Sequence, residues 1–170
     1  LLLLVVPLTA HAEDRTGTIS MGVTPSYAFI SLEGGQAEPD GGGAALFLGY
    51  AITEAMEVRL SGLWSGHVIS ATDKSPELLL QVFNLAVIFS YAFDLAPVRP
   101  TLEAGIGLLH QRLGDQAVSS ASLQVGVGAD YSVLPWLEVG AVFHYHAFLQ
   151  NPNQLPVYFD VGPRITFRIR

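Results

Sequence analysis

Thr18-Ile19-Ser20-Met21-Gly22-Val23-Thr24-Pro25-Ser26-Tyr27-Ala28 decides the reading of this chain. Successive side chains of an extended strand point to opposite faces. Ile19, Met21, Val23, Pro25 and Tyr27 therefore share one face, and Thr18, Ser20, Gly22, Thr24, Ser26 and Ala28 share the other. A half-buried strand of a soluble sheet hides its bulky face and wets a charged one. Here the second face is too small and too poor in charge to meet bulk water. It suits the crowded interior of a narrow barrel, which turns the bulky face toward lipid.

The pattern repeats along the chain. In 79–93, Phe83, Leu85, Val87, Phe89, Tyr91 and Phe93 oppose Asn84, Ala86, Ser90 and Ala92, with Ile88 the exception. A helix would scatter these residues around its circumference. Eight such segments are predicted, over 17–30, 44–53, 57–70, 79–93, 98–111, 121–132, 137–148 and 157–169. Each is long enough for a tilted strand to cross a bilayer, which takes roughly 9–11 residues. The connections alternate between short (53–56, 94–97, 133–136) and longer, more polar ones (31–43, 71–78, 112–120, 149–156). Short turns on one side and longer loops on the other define an all-β fold, an eight-stranded antiparallel up-and-down transmembrane β-barrel. Both termini then face the periplasm and the longer loops face out of a bacterial outer membrane.

Composition agrees with one such domain. The chain has 170 residues, half of them hydrophobic and only 14% charged, with a single lysine at Lys74. A formal net charge of -7 argues against a nucleic-acid partner, which needs a basic patch. With no cysteine there is neither a disulfide framework nor a thiolate metal site. The apolar run 1–8 leads into Thr9-Ala10-His11-Ala12, an A-x-A cleavage pattern. Residues 1–12 thus read as a signal peptide, incomplete at its N-terminus because the initiator methionine and basic region are absent; residues 13–170 form the barrel domain.

Two sets of residues are expected to matter. With the bulky face outward, Tyr50, Tyr91, Phe93, Tyr131 and Phe167 fall near the short-turn ends, with Trp136 in a turn. Tyr27, Phe29, Trp64, Phe83, Tyr145 and Phe159 fall near the long-loop ends. Between them the outward face is mostly aliphatic, so the aromatics form two membrane-interface belts. The inward face carries Glu57, Arg59, Glu103, Asp130, Glu138, Asp160, Arg164 and Arg168 among glycines. An eight-stranded barrel is just wide enough for side chains to fill it. Buried charges must be paired. A compensated charge network plugging the lumen is therefore expected.

Several pieces together resemble a known family. Gly49-Tyr50 and Tyr91-Ala92-Phe93-Asp94 precede short turns. Arg99-Pro100-Thr101-Leu102-Glu103-Ala104-Gly105-Ile106-Gly107 lies on the fifth strand, and Asp160-Val161-Gly162-Pro163-Arg164-Ile165-Thr166-Phe167 on the eighth. In these the sequence resembles the small outer-membrane β-barrel superfamily that includes the OmpA transmembrane domain and OmpX. The resemblance implies insertion by the outer-membrane assembly machinery and a structural or surface role, and it identifies no catalytic residues. Chains of that family end in an aromatic residue that the machinery reads. This sequence departs from that pattern, ending Phe167-Arg168-Ile169-Arg170, with Ile169 keeping the outward phase.

Histidines are the residues that invite chemistry. Phe143-His144-Tyr145-His146 is similar to the His-Tyr-Ser stretch of lipid A deacylases, but the nucleophile position holds His146, which cannot form that acyl ester. His144, His146 and His67 are predicted inward, without defined metal-ligand spacing. Lumen histidines bonded to carboxylates or water are the preferred reading. The loops carry Glu33, Glu38, Asp40, Asp73, Glu77 and Asp115, mostly isolated, and Asp40-Gly41-Gly42-Gly43 reads as a flexible turn lacking the acidic spacing of a calcium loop. The expectation is a non-enzymatic, cofactor-free outer-membrane barrel with a plugged lumen, contributing to envelope integrity or surface contact. The alternatives are a small-solute channel, a lipid A-modifying enzyme and a soluble ligand-binding barrel, which would place Leu85, Val87 and Phe89 inside. Its expected partners are outer-membrane lipid, lipopolysaccharide and the assembly machinery, with the barrel itself a monomer.

Overall fold

The computed structural model describes residues 15–30, 40–69, 78–93, 98–149 and 158–170. The segment 1–12, the turn 94–97, most of three longer loops (31–39, 70–77, 150–157) and the loop acids Glu33, Glu38, Asp73 and Glu77 lie outside the described residues.

Eight strands follow one another: β1 (Ile19–Ile30), β2 (Asp40–Ala51), β3 (Met56–Ile69), β4 (Leu78–Ala92), β5 (Val98–Leu113), β6 (Gln116–Leu134), β7 (Leu137–Phe148) and β8 (Tyr158–Ile169). Each pairs antiparallel with the next, and β8 pairs with β1 to close the barrel. Closure removes every sheet edge, so the backbone satisfies itself without water, as a hydrocarbon environment requires. The inverted alternation is plain in exposure. Leu46 and Ile106 are 64% and 67% exposed, whereas Asp160 and Arg164 are 1% and 2% exposed.

Two connections differ from expectation. The predicted loop 112–120 is a tight hairpin: Leu113 faces Gln116, and Gly114, at φ 58°, makes the turn with Asp115. β5 and β6 run past the apolar band, where neither face needs to be greasy, so the alternation that marks a strand fades before the strand ends. Asp40-Gly41-Gly42-Gly43 is likewise the start of β2, hydrogen-bonded between β1 and β3, and not a turn. Glycine is used there because the chain is crowded. A Cβ on Gly41 would run into the His67 ring, and one on Gly43 into the Trp64 carbonyl.

The closing seam carries a defect. β1 and β8 pair from Ile19↔Ile169 to Val23↔Ile165 and again from Tyr27↔Val161 to Ile30↔Tyr158. The interval between them sets Pro25 opposite Pro163 on this register. Neither residue has an N–H, so the reciprocal pair of ladder bonds that this position would carry is lost. Gly162 lets the two backbones stay close: a Cβ there would strike the Pro25 carbonyl.

Candidate functional site

The interior has two layers built by different chemistry. In the short-turn half, Arg164 forks onto Asp130, with Nε donating to Oδ1 at 3.0 Å and Nη2 to Oδ2 at 2.6 Å. Its Nη1 donates to Glu103 Oε1 at 2.5 Å, and Arg59 Nη1 donates to the same oxygen at 2.6 Å. Arg59 also reaches back to Glu57 (Nε to Oε1, 3.1 Å) and lies over the Phe47 ring, 4.6 Å from its centroid. Arg168 Nε donates to Glu138 Oε2 at 2.9 Å, and its Nη groups approach Glu57 Oε2 at 3.4 Å. All eight charged residues singled out in the sequence point inward; seven are joined directly by these contacts, and Asp160 joins them through His144.

Two further members complete the cluster: His144, expected inward beside carboxylates, and Arg15, which was missed. His144 sits between carboxylates, with Nε2 2.9 Å from Glu103 Oε2 and Nδ1 3.1 Å from Asp160 Oδ2. Glu57, Glu103, Asp130 and Glu138 pair with Arg15, Arg59, Arg164 and Arg168, while Asp160 pairs, among the described residues, only with His144 and His146. Each ring nitrogen of His144 thus faces a carboxylate, an arrangement that suits two N–H donors. Arg15 lies before β1, where its side chain pairs with Glu138 across the mouth of the barrel. Gly17 N–H donates to the Ala51 carbonyl at 2.8 Å, which holds this segment against β2. Burial, with Arg168 acting the same way, lowers the Arg15 guanidinium below its ordinary pKa. The alternation rule could not find Arg15, which belongs to no strand.

Above the ions the lumen turns neutral. Asn84 Nδ2 donates to Gln124 Oε1 at 3.3 Å and lies 3.3 Å from His146 Nδ1, while Ser122 Oγ donates to Asn84 Oδ1 at 3.1 Å. Ser65 Oγ is 3.0 Å from both His67 Nε2 and the Tyr158 hydroxyl. At the same level and toward the long loops, apolar side chains share the interior with these polar ones. Ala28, Ile30, Ala45, Leu63, Leu80, Val82, Leu109, Phe148 and Tyr158 form one buried cluster, with Ile69 and Leu113 against it. The expected interior of small and ionic residues is therefore corrected in this half. Its strand ends, such as Leu79-Leu80 and Leu108-Leu109, carry apolar residues on both faces, which erases the alternation.

The three histidines do not converge on one point. His144 and His146 adjoin Asp160, whereas His67 is bonded to Ser65. Among the described residues no set of three or more His, Asp or Glu is arranged to hold a metal ion.

The eleven interface candidates Tyr27, Phe29, Tyr50, Trp64, Tyr91, Phe93, Tyr131, Trp136, Tyr145, Phe159 and Phe167 are exposed or half-buried. Several pack together: Phe29 stacks on Phe159 at 4.8 Å, Trp136 on Phe167 at 6.1 Å, and Tyr91 meets Phe93 edge-on at 5.0 Å.

Comparison with known proteins agrees with this geometry. A family model described as "Outer membrane protein beta-barrel domain" matches residues 1–161. No curated protein sequence matches. Among solved structures, Neisserial surface protein A (NspA) superposes with a TM-score of 0.75 at 18% identity, covering 90% of this chain and 99% of that one. OprG from Pseudomonas aeruginosa superposes with a TM-score of 0.63 at 11% identity, covering 93% and 99%. Ail, the attachment invasion locus protein of Yersinia pestis, solved with the heparin analogue sucrose octasulfate, gives 0.59 at 15%, covering 91% and 99%. At these identities the likeness is one of fold.

Proposed function

Because this chain belongs to the outer membrane protein β-barrel domain family, we propose that it is a non-enzymatic integral barrel whose lumen is sealed, serving envelope integrity or surface contact. The observation that carries this reading is the double filling of the interior. An ion crossing it would have to part guanidinium–carboxylate contacts of 2.5–3.1 Å and then pass a buried apolar cluster interleaved with Ser65, His67 and the Tyr158 hydroxyl. His67, His144 and His146 are engaged inside the lumen with Ser65, Asp160, Glu103 and Asn84, away from any lipid substrate on the outer wall.

In this reading the aromatic rings mark the two interfaces, the termini are periplasmic and the long loops face outward. Surface contact then belongs to those loops. The name of the attachment protein among the structural neighbours lends that role support by analogy of fold. The protein reconstituted in planar lipid bilayers tests the seal. Stable single-channel steps would replace this proposal with a small-solute channel, and a quiet membrane at potentials that leave the bilayer intact is the expected result.

A further inference from the structure

The lipid-facing wall is not uniform. On β2 to β6, pairing aligns outward residues in rows: Ala44, Trp64, Phe83, His110 and Ser119 form one, and Leu46, Gly62, Leu85 and Leu108 the next. A groove runs between these rows. Its floor is deep at Gly62, where a Cβ would meet nothing within 4 Å. Trp64 and Phe83 wall one side, and Leu46 and Leu108, 64% and 66% exposed, wall the other.

The groove ends at a polar corner. His110 Nδ1 is 2.8 Å from Ser119 Oγ, which leaves Nε2 as the outward ring nitrogen. One row nearer the long loops, Gln81 stands opposite Arg112. Arg15, Arg59, Arg164 and Arg168 are each paired with a carboxylate inside the barrel. Arg112 is different. Among the described residues its side chain donates only to the Gly114 carbonyl (Nε, 3.3 Å), and no salt bridge engages it. An arginine on the outer wall with no carboxylate partner among the described residues, at the head of an apolar trough, complements an amphiphile with an anionic head.

We propose that this groove seats one acyl chain of lipid A, the phosphorylated glycolipid of the outer leaflet, with a headgroup phosphate held by Arg112, Gln81 and His110. The choice of leaflet rests on the proposed outward orientation of the long loops. The choice of an acylated phosphate rests on the groove and the arginine.

Native mass spectrometry of the detergent-solubilised barrel tests this with four probes: diphosphoryl lipid A, the same lipid A dephosphorylated, phosphatidylglycerol and phosphatidylethanolamine. Diphosphoryl lipid A should be retained about tenfold over the dephosphorylated form, the value of one charge-assisted contact. Arg112→Gln should abolish that preference, Arg112→Lys should restore part of it, and Gly62→Leu should lower retention of both lipid A forms by filling the trough. Each variant must first run as a folded, heat-modifiable band, and the wall positions chosen lie outside the packed lumen. Equal retention of the two lipid A forms, equal retention of phosphatidylglycerol, or an unaltered profile in Gly62→Leu would overturn the proposal. Protease access to the long loops on intact cells is read separately. Loops found in the periplasm would sink the orientation while leaving the headgroup preference measured in detergent untouched.

Discussion

The two halves of the lumen do the same job with opposite chemistry. Toward the short turns, space between strands is filled by guanidinium forks and carboxylates in contact at 2.5–3.1 Å; toward the long loops it is filled by Ile30, Leu80, Val82, Leu109 and Phe148. The ionic half is directional. Each member depends on a partner of opposite charge, and removal of one strands another in a buried site. The apolar half is non-directional, and its loss is graded by the volume removed. A barrel sealed by both should therefore fail in two distinguishable ways.

Arg164 is the place to break the ionic half. It bridges Asp130 and Glu103, both buried. Arg164→Met should destabilise the folded barrel by about 3–5 kcal/mol, measured by denaturant unfolding in micelles. Adding Asp130→Leu should recover part of that loss, because the two substitutions together remove one stranded charge. If the double variant is as unstable as the sum of the singles, the network does not work by charge compensation.

In the apolar half, Leu109→Ala should cost about 2–4 kcal/mol, and a second substitution such as Val82→Ala should add to it without any rescue by a partner. Bilayer recordings sharpen the contrast. Neither apolar substitution alone should produce conductance, since the ionic layer beneath remains closed.

The seam offers a gain. Replacing Pro25 and Pro163 together with valine supplies two N–H donors where β1 and β8 lack them, and valine keeps the outward faces apolar. The double variant should unfold more slowly and be more stable by about 1–2 kcal/mol, given a net 0.5–1.5 kcal/mol per hydrogen bond. No change would mean that the backbones there cannot reach ladder geometry. The smallest effect is expected at the hairpin tip. Gly114→Ala forces a Cβ into the left-handed region and should cost about 1 kcal/mol.

The sequence made the barrel legible wherever one face had to be greasy and the other small. β7 (Leu137–Phe148) agrees with prediction to the residue, and β4 (Leu78–Ala92) to one residue at either end, because both alternate through the bilayer band. It misled where that pressure stops. The 114–115 hairpin looked like a long loop because its flanking strands stand clear of the apolar band. The same blindness hid the apolar cap, since residues such as Leu80 and Leu109 sit beside outward leucines and give no period-two signal. Charged positions were easy to place from phase alone. Their partners were not, because His144 to Glu103 and Arg164 to Glu103 join strands far apart in sequence. The proline pair at the seam was visible in the sequence, but its meaning needs the register that sets the two opposite.

The most direct measurement is a nitroxide scan along β4 from Phe83 to Phe89 in reconstituted membranes, reading relaxation by oxygen and by a water-soluble nickel chelate. Labels at positions 83, 85, 87 and 89 should be open to oxygen and closed to nickel, and those at 84 and 86 closed to both. Nickel access at 84 and 86 would reveal a water-filled pore, and loss of oxygen access at 83, 85 and 87 would place the bulky side chains in a protein core. Either result contradicts a sealed barrel that wears its greasy face toward lipid.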